Sequence, residues 1–283
     1  MLEIKNKILI ILIILFGFFG FGSTQVFAEE LRVAVASNFY PTMKKIIDLY
    51  ELKKTNSNNS LKVILISGSS GKHFAQIING APFDIFFSAD EEKPRLLEKQ
   101  GKIEPDSRFT YAKGKLVLWS PRNDFVDSSG EILKQDDFKF LAIANPKIAP
   151  YGKSAEETLK SLKLWIKMQK KIVRGENIGQ TFQFVRSGNA QLGFVAYSQI
   201  IESDNIIDGS FWEIPESIYT PINQQVVLLK ASNAGKDFLS FIQSDESLSI
   251  ILKSSATTST TTKLLLRLSS FFHLIFHHFD LIV

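Results

Sequence analysis

The sequence predicts an α/β fold, on three observations. Short apolar strands alternate with amphipathic helices along most of the 283 residues. Strand after strand ends in a small polar loop that opens a helix, the pattern of a parallel sheet with crossover helices. A hydrophobic fraction of 45% beside 22% charged residues provides for a buried core and excludes wholesale disorder. A chain of this length forms one large domain or two lobes.

The elements follow in order. Leu31 to Ala36 is a short strand, Ser37-Asn38 follow it, and Pro41 stands in the first turn of a helix with Met43, Ile46, Ile47 and Tyr50 at helical spacing. Leu61 to Ile66 repeats the design, with Ser67-Gly68-Ser69-Ser70-Gly71 as its loop and Phe74, Ile77 and Ile78 on a helix closed by Gly80. Phe83 to Phe87 is a third strand, and Ser88-Ala89-Asp90 leads to a helix from Glu91 to Gln100, stopped by Gly101. Lys115 to Trp119 and Phe138 to Ala144 read as strands. The loop from Asn145 to Gly152 enters a helix whose Ser154-Ala155-Glu156-Glu157 matches a capping box. Lys171 to Arg174 is a short strand, Asn177 opens a helix that ends near Gly188, and Leu192 to Tyr197 and Pro221 to Leu229 are the last strands. A final helix covers Lys236 to Gln243, and the sequence contains no internal repeat.

Both ends differ from this body. Lys5 and Lys7 precede an apolar run from Ile8 to Phe21, and Val26-Phe27-Ala28 places small residues where a signal peptidase reads. Residues 1–28 are therefore expected to be a cleaved signal peptide, with an uncleaved anchor as the alternative. No Cys follows the run, so a lipoprotein anchor is excluded. From Ser254 a Thr/Ser tract gives way to an apolar stretch from Leu264 to Val283 that carries Arg267, Asp280, His273, His277 and His278. Residues 253–283 read as an atypical tail, best explained by a frameshifted 3′ end. A second membrane anchor and a His-cluster metal site are the rival readings.

The net charge of +4 invites a nucleic-acid partner. Setting aside Glu3, Lys5 and Lys7 at one end, and Lys253, Lys263, Arg267 and Asp280 at the other, leaves 28 basic and 27 acidic residues. A body at +1 carries no electrostatic footprint for nucleic acid. The absence of Cys removes disulfides, thiolate nucleophiles and Cys-based metal centres. Ser67 to Lys72 has two residues between its glycines, where a phosphate-binding P-loop has four.

In an open α/β sheet, ligands bind where strands end and helices begin, because exposed N–H groups and the helix dipole favour anions there. Ser37, Ser69, Ser70 and Tyr151 add hydroxyl groups to such loops. Val33 to Asn38, Ser67 to His73 and Asn79 to Asp90 together resemble the periplasmic molybdate-binding proteins of ABC transporters. Ala144 to Gly152, Gly175 to Ile178 and Gly193 to Tyr197 fit the same pattern. The resemblance spans Leu31 to Ile251 and is most specific in Gly80-Ala81-Pro82-Phe83-Asp84 followed by Ser88-Ala89-Asp90. It implies a two-lobe periplasmic-binding-protein fold with the ligand cleft between lobes. Residues 29–112 and 222–252 would form the first lobe and 113–221 the second.

The resemblance also implies a ligand set for the molybdate or tungstate oxyanion. Ser37 would give its hydroxyl and backbone N–H, with Asn38 beside it. Ser70 would act from the second loop, and Tyr151 and Ile178 through their backbone N–H groups. Tyr197 is the weakest member, because Ala196 occupies the position where some relatives carry a tyrosine. The chain is then a binding protein and not an enzyme, with no cofactor and no nucleic-acid partner. It would be a monomer, periplasmic, and partnered by the membrane permease of an ABC importer. The chemistry agrees: a fully deprotonated tetrahedral dianion needs donors and no acceptor, and none of these positions is acidic. Two alternatives stand beside it. One is a receptor for another oxyanion such as sulfate. The other is an exported hydrolase using Ser70 and His73, although no Gly-x-Ser-x-Gly elbow is present. Otherwise His73 is expected to be an exposed helix residue, with Asp84 and Asp90 in structural roles.

Overall fold

The computed structural model describes residues 29–55, 61–135, 137–202 and 205–255. The expected signal peptide and nearly all of the atypical tail lie outside them. The chain begins β1 (Glu29–Ala36), α1 (Tyr40–Thr55), β2 (Leu61–Gly68), α2 (Ser70–Ile78), β3 (Ile85–Ser88), α3 (Glu92–Lys99) and β4 (Phe109–Gly114). It then crosses to β5 (Leu116–Ser120), α4 (Ile132–Gln135), β6 (Leu141–Ala144), α5 (Pro150–Ser161), α6 (Trp165–Met168), β7 (Ile172–Gly175), α7 (Ile178–Arg186) and β8 (Leu192–Ala196). A two-stranded ribbon, β9 (Ile201–Glu202) with β10 (Asn205–Ile206), precedes β11 (Ser210–Glu213). The return strand is β12 (Ile222–Leu228), followed by α8 (Asn233–Ile242) and α9 (Asp245–Ser255).

Two five-stranded sheets result, in the orders β2-β1-β3-β12-β4 and β11-β5-β8-β6-β7. The expected parallel pairing holds for β1 with β2 and β3, and for β6 with β7 and β8. It fails for β12, which runs antiparallel to both β3 and β4, and for β5, antiparallel to β8 and β11. The sheets are therefore mixed. The cause is the double crossing: β12 re-enters the first sheet from the other lobe and so runs against its neighbours.

The crossing strands lie side by side. Gly114 at the end of β4 is paired with Ile222 at the start of β12, so the chain leaves the first sheet at Lys115, just past Ala112, and returns at Ile222. Side chains alternate across each sheet with the two-residue period of a strand. On one face of the first sheet Val33, Val35, Ile85 and Phe87 pack with Met43, Ile46, Tyr50, Phe238 and Ile251. On the other, Ala34, Phe86 and Val227 meet Ile77, Phe83 and Leu97. Full burial of each large apolar side chain contributes about 1.5–3 kcal/mol.

Three expectations are corrected. The Ser154 capping box does not form: α5 starts at Pro150, whose fixed φ suits a first helical position, and Ser154 is buried within the helix. His73 is not exposed but only 2% accessible, on the sheet-facing side of α2. Beyond Gln243 the chain forms a further helix, α9, with Asp245 and Glu246 in its first turn and Lys253 in its last, matching the helix dipole. Strands β4, β9, β10 and β11 also lie in stretches that the sequence pattern leaves unassigned.

Candidate functional site

Four chain segments meet between the lobes. Ser37, in the turn after β1, donates its N–H to the Gly68 carbonyl (3.0 Å), and its Oγ accepts the N–H of Gly179 in the first turn of α7 (3.0 Å). Ser70 is the first residue of α2 and wholly buried; its Oγ accepts the Ala89 N–H at 2.9 Å. Gly71 beside it donates to the Ile148 carbonyl of the other lobe at 2.8 Å. Ile148 belongs to the loop that becomes α5, where Tyr151 follows Pro150. Asn177 caps α7 by accepting the Gln180 N–H at 2.9 Å, which leaves Ile178 as its first helical residue. Ala36 and Ala89 of the first lobe share one apolar cluster with Ala144, Ala149, Tyr151 and Ile178 of the second.

This arrangement presents donors. Each serine oxygen already accepts an amide, so its own proton is directed elsewhere. First-turn N–H groups have no intrahelical acceptor, and those of Ser70, Tyr151 and Ile178 have no backbone acceptor elsewhere among the described residues. Three helix N-termini add the positive ends of their dipoles. Asp90, near in sequence, is turned away: its carboxylate binds the Lys93 ammonium at 2.8 Å and accepts the Lys93 N–H at 3.0 Å. The four segments thus form a candidate cage of neutral donors, and none of Ser37, Ser70, Tyr151 and Ile178 is acidic. The Ser37 N–H departs from the implied ligand set, since Gly68 engages it.

Asn38 and Tyr197 lie at the hinge. Asn38 is 2% exposed and donates through Nδ2 to Gln224 Oε1 (2.7 Å), while its carbonyl accepts the Ser198 hydroxyl at 3.3 Å. The ring of Tyr197 packs against Phe211, and the Lys115 ammonium lies 5.7 Å from its centre. No hydrogen bond links Tyr197 to Ser37, Ser70 or Ile178 among the described residues. With Asn38, Gly114, Tyr151 and Gln224 it lines a hinge cavity of about 20 Å³, room for one water. A wider opening of about 250 Å³ runs along Ala89, Ile148 and Pro150 and is edged by charges of both signs, Arg95, Lys147 and Lys153 with Asp90, Glu91 and Glu92.

Burial raises the phenol of Tyr151, with Tyr219 adding to it, and raises that of Tyr111, so both stay neutral. Burial also lowers His73, against the opposing hydrogen bonds to Gln76 and Val35. Its Nε2 meets the Val35 carbonyl oxygen and its Nδ1 the Gln76 side-chain oxygen, both at 3.2 Å. Neither nitrogen is bonded to Ser70, so the serine–histidine dyad of a hydrolase is not formed. Sequence reasoning passed over Ala89, Ile148 and Gly179, which act through backbone atoms; only the glycine in the first turn of α7 could have marked one of them.

A donor cage closed between two lobes, with the chain crossing twice beside it, defines a two-lobed solute-binding protein. The chain belongs to the family of bacterial extracellular solute-binding proteins, which it matches over residues 31–254. It is 43% identical over 227 residues to the molybdate-binding protein ModA of Azotobacter vinelandii, covering 79% of this chain and 88% of that one. With the molybdate-binding protein ModA of Rhodobacter capsulatus it shares 42% over 229 residues, 80% of this chain and 87% of that one. Among solved structures, the periplasmic molybdate-binding protein of A. vinelandii superposes with a TM-score of 0.75 at 40% identity. That match covers 79% of this chain and 97% of the other.

Proposed function

We propose that this chain is the receptor of a molybdate ABC importer, holding the oxyanion between its lobes and delivering it to the membrane permease. The reading is supported by the neutral donors brought together where the lobes meet: the hydroxyls of Ser37 and Ser70 and the first-turn N–H groups of Ser70, Tyr151 and Ile178, none of them at an acidic position. Hydrogen bonds to a charged partner contribute about 1.5–3 kcal/mol each, so a handful suffices for tight capture. Phosphate retains a proton at neutral pH and finds no acceptor here. Tungstate, nearly equal in size and charge to molybdate, binds as well. The protein acts by binding and not by catalysis, on the outer side of the membrane.

Closure is the signal to the permease. An anion that touches donors from both lobes stabilises the closed form over the open one by that difference in contacts. Isothermal titration of molybdate, tungstate, sulfate and phosphate tests the reading. Tight binding of the first two and weak or no binding of the others is expected; sulfate binding more tightly than molybdate would overturn it.

A further inference from the structure

We propose that His73 is a positioning residue that holds the two serine loops of the cage in register, through an Nε2–H bond to the carbonyl of Val35. The inference rests on the reading of the cage as an anion site.

Three segments of the site meet at this one ring. His73 lies one turn into α2, the helix that begins with Ser70. Its Nε2 reaches across to Val35 on β1, just ahead of Ser37, at 3.2 Å. The ring also abuts Gly68: a Cβ there would come within 2.7 Å of Nε2 and 2.8 Å of Cε1. Gly68 is the residue whose carbonyl receives the Ser37 N–H. A shift of α2 along β1 would therefore move Ser70, the Gly68 carbonyl and Ser37 relative to one another.

The ring's orientation is fixed on every side. Phe83 and Phe86 meet it edge-on, with centroids 5.6 and 6.2 Å away. The Val35 carbonyl can only accept, so Nε2 carries the proton. Burial keeps the ring neutral, and the neighbouring Lys72 charge acts in the same direction. Gln76 Oε1 lies 3.2 Å from Nδ1; turning that amide end over puts its NH2 in the same place, and Nδ1 then accepts from it. A polar ring this deep between phenylalanines costs free energy unless both nitrogens are bonded. An apolar side chain would fill the same space without that demand, and would leave the Val35 carbonyl unclamped.

The test compares three variants of the full chain. His73→Gln keeps a donor near the place of Nε2; His73→Asn keeps one only near Nδ1; His73→Met fills the space with no donor. Molybdate affinity is measured by titration calorimetry well below each melting temperature. His73→Gln is expected within about threefold of the parent, and the other two weaker by about tenfold, the size of one hydrogen bond lost from a buried site. Equal affinity in His73→Met and the parent, or equal loss in all three, would overturn the proposal. If the parent itself does not bind molybdate, the functional reading fails, and amide hydrogen exchange then decides the role of His73. Protection of the Ser37 N–H retained in His73→Gln and lost in His73→Met supports it; identical protection sinks it.

Discussion

Gly71 of the first lobe donates its backbone N–H to the carbonyl of Ile148 in the second, at 2.8 Å. The pair has a reciprocal partner, since Gly179 of the second lobe donates to Ser37 of the first. A Cβ on Gly71 would lie 2.7 Å from the Ile148 oxygen and 2.8 Å from its Cα, so backbone stands in its way. Gly71→Ala is expected to hold the lobes apart, weakening molybdate binding at least about tenfold. The ligand-free protein should melt no lower, because Ala favours a helix over Gly by about 1 kcal/mol. Calorimetric titration beside thermal melting checks both halves.

The serines answer to a different arithmetic. Ser37→Ala would remove a proposed donor to the anion and strand the Gly179 N–H; Ser70→Ala would do the same for its own hydroxyl and the Ala89 N–H. Two charge-assisted bonds at about 1.5–3 kcal/mol each predict a combined loss of roughly 10²–10⁴ in affinity for the double variant. Unchanged titration of the double variant would remove both hydroxyls from the site.

Stability against pH reports on His73. Its folded value lies below the ordinary 6.5, mainly through burial, so the unfolded chain takes up a proton first as pH falls. Its contribution is complete above about pH 6.5 and is lost as pH drops through the lower folded value. Melting curves of the parent and His73→Gln should accordingly converge between pH 7 and pH 5. A constant gap would mean that the histidine titrates normally.

The last helix is a part of the core. Ile251 of α9 is 2% exposed and packs in the cluster that holds Tyr50 and Phe238. Ile251→Ala should cost about 2–4 kcal/mol in chemical denaturation. Lys53→Met, which removes the ion-pair partner of Glu246 on that helix, should change the denaturation midpoint far less, because both groups are half exposed and solvent screens the pair.

The α/β order and the serine loops were legible because a strand, a small polar turn and an amphipathic helix each leave a local pattern. Ser37 and Ser70 could be found as side chains at such turns. Ile178 could not be found from residue type, since a backbone N–H serves identically under any side chain; only the resemblance pointed to it, and Tyr151 stood out for its hydroxyl rather than for its backbone N–H. The antiparallel entry of β12 left no local pattern either: Val227 meets Phe86 across about half the chain. His73 misled because one polar residue on a short helix looks like part of its wet face. The local box at Ser154 lost to Pro150, whose ring sets the helix start.

The position of β12 has a consequence for how the molecule comes into being. It is the last of the described strands to be synthesised, yet it occupies the place between β3 and β4. Until Ile222 to Leu228 emerge, β3 presents an unsatisfied edge, a template for wrong partners. The second lobe, continuous from β5 to β11, can condense first. The nascent first lobe must wait as an unfinished sheet, so the time between synthesis of β4 and of β12 is the window in which a holding chaperone would matter most.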